Sequence, residues 1–181
     1  MLKYWLVLSV FNGFDEKIRE HIFSFVPAIT ISGEDGRLSN WTTLLSKVEK
    51  MPGVTGAAPV VNGQALLTIN GESHPAMVVG ILPAQMGHVI PLSAQVTQGH
   101  LSALTPGHFK MILGEGFSGN LGVIQGDQIT LMVPTATVTP LGVVPRFKQF
   151  QVAGFFHSGS GFGFDTSYVF IHLADAQVLY L

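Results

Sequence analysis

GDQITLMVPTATVTPLGVVPRFKQF, residues Gly126–Phe150, places two strand-like flanks around an arm that carries three prolines. After the turn signal Gly126-Asp127, Gln128–Val133 is a mostly apolar, β-branched run; from Phe147 to Phe155 apolar residues recur at alternate positions. Both flanks therefore read as strands. Between them Pro134, Pro140 and Pro145 each remove a backbone donor and hold the preceding residue extended, while Gly142 permits a turn. That composition disfavours a helix and a sheet interior alike. A connection of about twelve residues is long for a hairpin, and long ordered connections are usually functional. Val138, Leu141, Val143 and Val144 leave apolar surface bare unless something covers them, which points to a protein partner. The prolines lower the entropy lost when such an arm is ordered on that partner. The plain alternative is a floppy surface loop.

Outward from the arm, the chain alternates helix and strand signals. Tyr4–Phe11 is a nearly continuous apolar run, too short for a bilayer that needs roughly 20 residues. Lys3 precedes it, yet no small-x-small cleavage site follows, which speaks against a signal peptide. Phe14, Ile18, Ile22 and Phe25 recur at helical spacing behind the acids Asp15 and Glu16, giving an amphipathic helix that Pro27 ends. A strand over Ala28–Ser32 follows, then a helix capped by Ser39 and running through Lys50, closed by Pro52-Gly53. Strands are expected over Val54–Val61, Gln64–Ile69 and Ala76–Leu82, with Asn70-Gly71 as a hairpin turn. Residues 83–108 lack periodicity and lead towards a second, β-rich lobe that contains the arm. Tyr168–His172 reads as a strand and Leu173–Leu181 as a helix returning to the first lobe. There is no convincing internal repeat.

Composition sets wider bounds. A chain of 181 residues can bury a genuine core and allows one domain or two small ones. Only 11% of residues are charged against 47% hydrophobic, with a mean hydropathy of +0.42, so an apolar neighbour is expected. A net charge of -2 and the lack of a basic run interleaved with aromatics give no basis for nucleic-acid binding. The absence of cysteine excludes disulfides and thiolate metal sites.

Several patterns imitate catalytic motifs. Gly114-Glu115-Gly116-Phe117-Ser118-Gly119 satisfies G-x-G-x-x-G after the apolar run Phe109–Leu113. Glu115, however, puts a carboxylate where a pyrophosphate must lie, and the helix has room for about two turns before Gly126, so a turn and short helix is the simpler reading. Phe164-Asp165-Thr166-Ser167 is shaped like an aspartic-protease loop, but the chain holds no second such loop, and Gly159, Gly161 and Gly163 suggest a flexible loop before a strand. The histidines at 21, 74, 88, 100, 108, 157 and 172 form no metal-ligand spacing. Ser158 and Ser160 lack nucleophile-elbow spacing. No cofactor, no metal and no self-contained enzyme activity are expected.

One resemblance runs through most of the chain. Val10-Phe11-Asn12-Gly13-Phe14, Met51-Pro52-Gly53-Val54 through Ala57-Ala58-Pro59, Ile112-Leu113-Gly114-Glu115, Leu121-Gly122-Val123 and Gly126-Asp127 resemble signatures of the lipoprotein-releasing ABC permeases LolC and LolE. Thr139-Pro140-Leu141-Gly142 and Pro145 resemble the periplasmic hook of LolC, whereas Asn40-Trp41 and Leu173-Ala174-Asp175-Ala176-Gln177 are more like LolE. The mixture is what a single permease of the LolF type shows. The resemblance implies an α+β fold: a mixed α/β porter-like lobe with an inserted β-rich lobe bearing a protruding β-hairpin arm. Residues 1–13 would be the end of a first transmembrane helix, 14–85 the first part of the porter-like lobe, 86–150 the β-rich lobe with its hook at 134–145, and 151–181 the return, with the C-terminus incomplete.

The resemblance further implies a non-catalytic permease segment at the periplasmic face of a bacterial inner membrane. It would work with a LolD-type ATPase and a second permease subunit, the same or paralogous, to release lipoprotein substrates to the periplasmic carrier LolA. Pro134, Val138, Thr139, Pro140, Leu141, Gly142, Val143, Val144, Pro145 and Arg146 would grip the carrier, and Phe11, Phe14 and Ile18 would contact lipoprotein or lipid. The alternative is a mechanotransmission domain of the MacB or FtsX kind, serving efflux or control of cell-wall hydrolases. Two positions depart from the LolC pattern: Thr130 stands where arginine can occur and Phe147 where glutamine can. Arg146 and Lys148 are near substitutes, but a cation moved by one residue on a strand points to the other face.

Overall fold

A computed structural model of the protein describes residues 29–33, 36–139, 142–159 and 163–180, with the backbone alone at 135–139 and 142–145. The expected first membrane-helix end, the amphipathic helix at 15–25, Phe11, Phe14, Ile18, Pro140 and Leu141 lie outside the described residues. Residues 1–38 form one unit and Ser39–Leu181 another. In the first unit, residues 29–32 form no strand; Ile29 and Ile31 are exposed and no ladder pairs them.

The second unit begins with helix α1, Trp41–Val48, whose N-cap position is held by Asn40 and not by the expected Ser39. It is followed by the hairpin of β1, Val60–Ile69, and β2, Glu72–Ile81. Asn70 and Gly71 both have positive φ, 51° and 84°, the conformation of a type I′ turn that matches the twist of its strands. The expected strand at 54–61 is reduced to its last two residues, and these are the start of β1. The preceding segment packs on the turn at His88 instead: a Cβ on Gly56 would lie 2.4 Å from the His88 carbonyl oxygen. Residues 83–108 hold short pieces: helices α2, Pro83–Met86, and α3, Leu92–Gln95, strand β3, Val96–Gln98, and a 3-10 turn at Leu101–Ala103. Then come β4, Lys110–Gly114, α4, Glu115–Leu121, β5, Gln128–Thr139, β6, Gly142–Phe156, β7, Tyr168–His172, and α5, Leu173–Tyr180. The result is an α+β fold, as expected.

Strand pairing closes on itself. β1 pairs with β2, β2 with β7, β7 with β4, β4 with β6, β6 with β5, and β5 returns to β1. The closure depends on β6, whose Gln151 has Gln128 of β5 and Lys110 of β4 as partners. Strands assigned by sequence to both lobes thus stand in one ring. Alternate residues fill its core: Ala65 and Leu67, Ala76 and Val78, Met111 and Leu113, Ile129, Leu131 and Val133, Phe150 and Val152, Val169 and Ile171. Burying each of the larger aliphatic or aromatic side chains contributes about 1.5–3 kcal/mol. α5 adds Ala176 and Leu179 to this core, and α4 adds Phe117. None of the described helices is long and apolar enough to cross a membrane.

Candidate functional site

The arm is built by the two longest strands. β5 pairs with β1 only over Thr130–Met132, against Thr68–Leu66, but with β6 from Gln128 through Val133 and again from Thr137 to Thr139. Beyond Val133 the two strands pair only with each other, so the ribbon leaves the ring. Sequence reasoning ended the flanking strands at Val133 and Phe147; the backbone instead continues the ladder to Thr139 and Gly142. β propensity at Thr137, Val138, Val143 and Val144 outweighs the prolines, because a two-stranded ribbon has free edges where a missing donor costs little. The prolines leave their mark at the base. Between the pairs Val133–Arg146 and Thr137–Val144, residues 134–136 of β5 lie opposite Pro145 alone, a bulge where two prolines withhold their donors.

At the foot of the arm, direct cross-strand partners form a row over four strands: Pro75 of β2, Leu66 of β1, Met132 of β5 and Phe147 of β6. Directly opposite residues share a face. Leu66 and Met132 are half-buried, Pro75 is exposed, and Phe147 is 65% exposed. The next row is polar: Thr68, Thr130 and Gln149, with Thr68 hydrogen-bonded to Ser73 at 2.9 Å. Arg146 and Lys148 stand on the opposite face from Phe147, paired with Val133 and Leu131. The Lys148 ammonium lies 5.2 Å from the centre of the Phe109 ring, a cation–π contact that accommodates a charge at the mouth of the core. Of the expected carrier-gripping residues, Pro134 is exposed and Arg146 half-buried, while Val138, Thr139 and Gly142–Pro145 are placed by backbone. The apolar row was not found from sequence, since its members are scattered over residues 66–147 and meet only through strand register.

The motifs that imitate catalysis have structural roles. A Cβ on Gly114 would lie 2.1 Å from the Asp165 carbonyl oxygen, and one on Gly116 would lie 2.4 Å from Thr166 Cγ2, so both glycines permit close packing against the turn at Phe164–Thr166. Asp165 Oδ1 accepts the Ser158 backbone N–H at 2.6 Å. Asp175, 1% exposed, accepts the backbone N–H groups of Gly107 and Phe109. Burial pushes the Tyr180 hydroxyl up to about 12, and its oxygen has no hydrogen-bond partner. Among the described residues no three His, Asp or Glu side chains are grouped to hold a metal ion.

Comparison with known proteins matches the profile of the MacB-like periplasmic core domain to residues 5–180. The chain belongs to the MacB-like periplasmic core domain family. It is similar to the "lipoprotein-releasing system transmembrane protein LolC" of Neisseria meningitidis serogroup B, 39% identical over 175 residues, which cover 97% of this chain and 42% of that protein. The LolC of Xylella fastidiosa strain 9a5c is 32% identical over 171 residues, 94% of this chain and 41% of that one. A LolE of Haemophilus influenzae is 25% identical over 175 residues, covering 94% and 41%. The chain thus spans about two fifths of the length of these relatives. Among solved structures, the extracellular domain of the noncanonic ABC-type transporter YknZ from Gram-positive bacteria aligns with 74% of this chain and 63% of its own, at 13% identity and a TM-score of 0.49. The resemblance to LolC and LolE read from sequence motifs agrees with these relatives.

Proposed function

We propose that this MacB-like periplasmic core domain is the periplasmic part of a permease in a lipoprotein-releasing ABC transporter of the bacterial inner membrane, and that its arm docks the carrier LolA. The single observation that carries the reading is the ribbon beyond Val133, which belongs to no sheet but its own and rises from an apolar row ending in exposed Phe147. A projecting ribbon with an apolar foot suits a protein partner, and relatives 39% and 32% identical to this chain are named for lipoprotein release. In this reading the tip residues Val138–Val144 enter the carrier's apolar cavity while Leu66, Met132 and Phe147 meet its rim. The ring of strands is the base of the arm, which rises from β5 and β6. Phe11, Phe14 and Ile18 face the lipoprotein, and ATP is hydrolysed by a separate LolD-type subunit on the other side of the membrane. The segment itself performs no covalent chemistry.

The test is binding to LolA of the same organism by this domain and by a version whose residues 134–145 are replaced with a glycine-serine turn, both shown folded by circular dichroism. Loss of binding with the arm supports the reading. A folded intact domain that does not bind overturns it and favours the second reading, a mechanotransmission domain of the MacB or FtsX kind, to which the family match itself lends weight.

A further inference from the structure

The far end of the arm-bearing strand is tied by a cluster that the docking reading does not use. His157, directly after β6, places Nδ1 3.4 Å from Glu115 Oε2 and 3.3 Å from Asp165 Oδ2. Glu115 begins α4 and Asp165 lies in the turn before β7, so one imidazole spans three elements. Each carboxylate is held from its other oxygen. The Thr97 hydroxyl of β3 donates to Glu115 Oε1 at 2.5 Å, and the Ser158 N–H donates to Asp165 Oδ1 at 2.6 Å. The His157 N–H itself donates to the Gln95 carbonyl at 2.9 Å, fixing the backbone beneath the ring. Among the described residues the charged groups paired with His157 are the two carboxylates; β3 contributes the Thr97 hydroxyl on Glu115, and α3 the Gln95 carbonyl.

We propose that His157, Glu115 and Asp165 form a pH-sensitive joint that fastens the end of the arm-bearing strand to α4 and to the turn before β7 when the imidazole is protonated, and loosens when it is neutral. An imidazolium offsets one of the two negative charges and attracts both carboxylates. A neutral ring donates from Nδ1 to one of them at most, and leaves two like charges facing across the joint. The fastening is therefore present while the imidazole carries its proton and is lost when it does not. All three groups are partly solvated, with side-chain exposures of 55%, 42% and 20%, so the effect is a local adjustment and not a global unfolding switch.

Amide hydrogen exchange at Ser158 tests the joint in the full chain, with the Val169 amide of the core as internal reference. After correction for intrinsic rates, protection of Ser158 relative to Val169 is expected to be about two- to fivefold greater near pH 5.5 than near pH 8, and the difference to vanish in His157→Gln. An unchanged ratio between the two pH values, or the same difference in His157→Gln, overturns the proposal. Glu115→Gln, altered at a half-exposed position, gives a second test should His157→Gln fail to fold. It is expected to shrink the difference, and an undiminished one overturns the joint equally.

Discussion

The Asp175 carboxylate accepts the Gly107 backbone N–H at 2.7 Å, from a helix that starts some sixty residues later in the chain, and its second oxygen accepts the Phe109 N–H at 3.1 Å. Phe109 has a φ of 47°, unusual for a bulky residue, and needs such a hold. Asp175→Ala leaves two donors without partners beside the core and is expected to destabilise the fold by about 2–3 kcal/mol in urea denaturation. Asp175→Asn keeps one acceptor oxygen and should lose less. Equal stability of Asp175→Ala and the parent chain would show that water replaces the carboxylate.

Two glycine substitutions should act with opposite sign. A Cβ on Gly80 of β2 would meet the Ala176 Cβ of α5 at 2.3 Å, so Gly80→Ala is expected to cost about 1–3 kcal/mol through overpacking. Gly119 lies in α4 with nothing within 4 Å of its Cβ position, so Gly119→Ala should stabilise by about 0.5–1 kcal/mol. Thermal denaturation of the two variants in one buffer checks both signs.

Tyr180 sets an alkaline limit. Its hydroxyl is buried without a partner and titrates at about 12, above the ordinary tyrosine value of 10.0. Between these values the unfolded chain has released the proton and the folded chain retains it, so stability falls as pH rises from about 10 to about 12, by about 1–2 kcal/mol once the partial solvation of the ring is allowed for. Tyr180→Phe removes both the unpaired hydroxyl and this slope. It is expected to be neutral or slightly stabilising at pH 7, measured by urea midpoints at pH 7 and at about pH 11.

The arm should be separable from the fold. Because the ribbon beyond Val133 pairs only with itself, replacing residues 137–144 by a tight turn is expected to change stability by less than about 0.5 kcal/mol. A larger loss of the urea midpoint would mean that the ring depends on the arm.

Much of the ring was legible locally. Asn70-Gly71 announced its hairpin because a type I′ turn demands those residue types, and Tyr168–His172 followed by Leu173 announced strand then helix through a change of period. What stayed hidden depends on distant partners. Val54–Pro59 has strand-like composition but packs on the His88 turn, and no local pattern foretold that Gln151 would have partners on both sides and close the sheet. The same holds for the foot of the arm: Leu66, Met132 and Phe147 become one surface only once register is fixed. Asp175 stood out only as part of the LolE-like stretch 173–177, and nothing local showed that its carboxylate reaches two backbone donors more than sixty residues earlier.

The continuity of β6 has a mechanical meaning. One unbroken strand of fifteen residues runs from the arm into the ring, where β4 lies parallel to it and β5 antiparallel. A tug on the tip along the ribbon therefore loads the hydrogen bonds that tie β6 to β4 and β5 to β1, sliding those strands past one another instead of peeling the bonds one at a time. The strand behaves as a tie rod: a displacement applied at Gly142 arrives at His157 with little lost to unzipping.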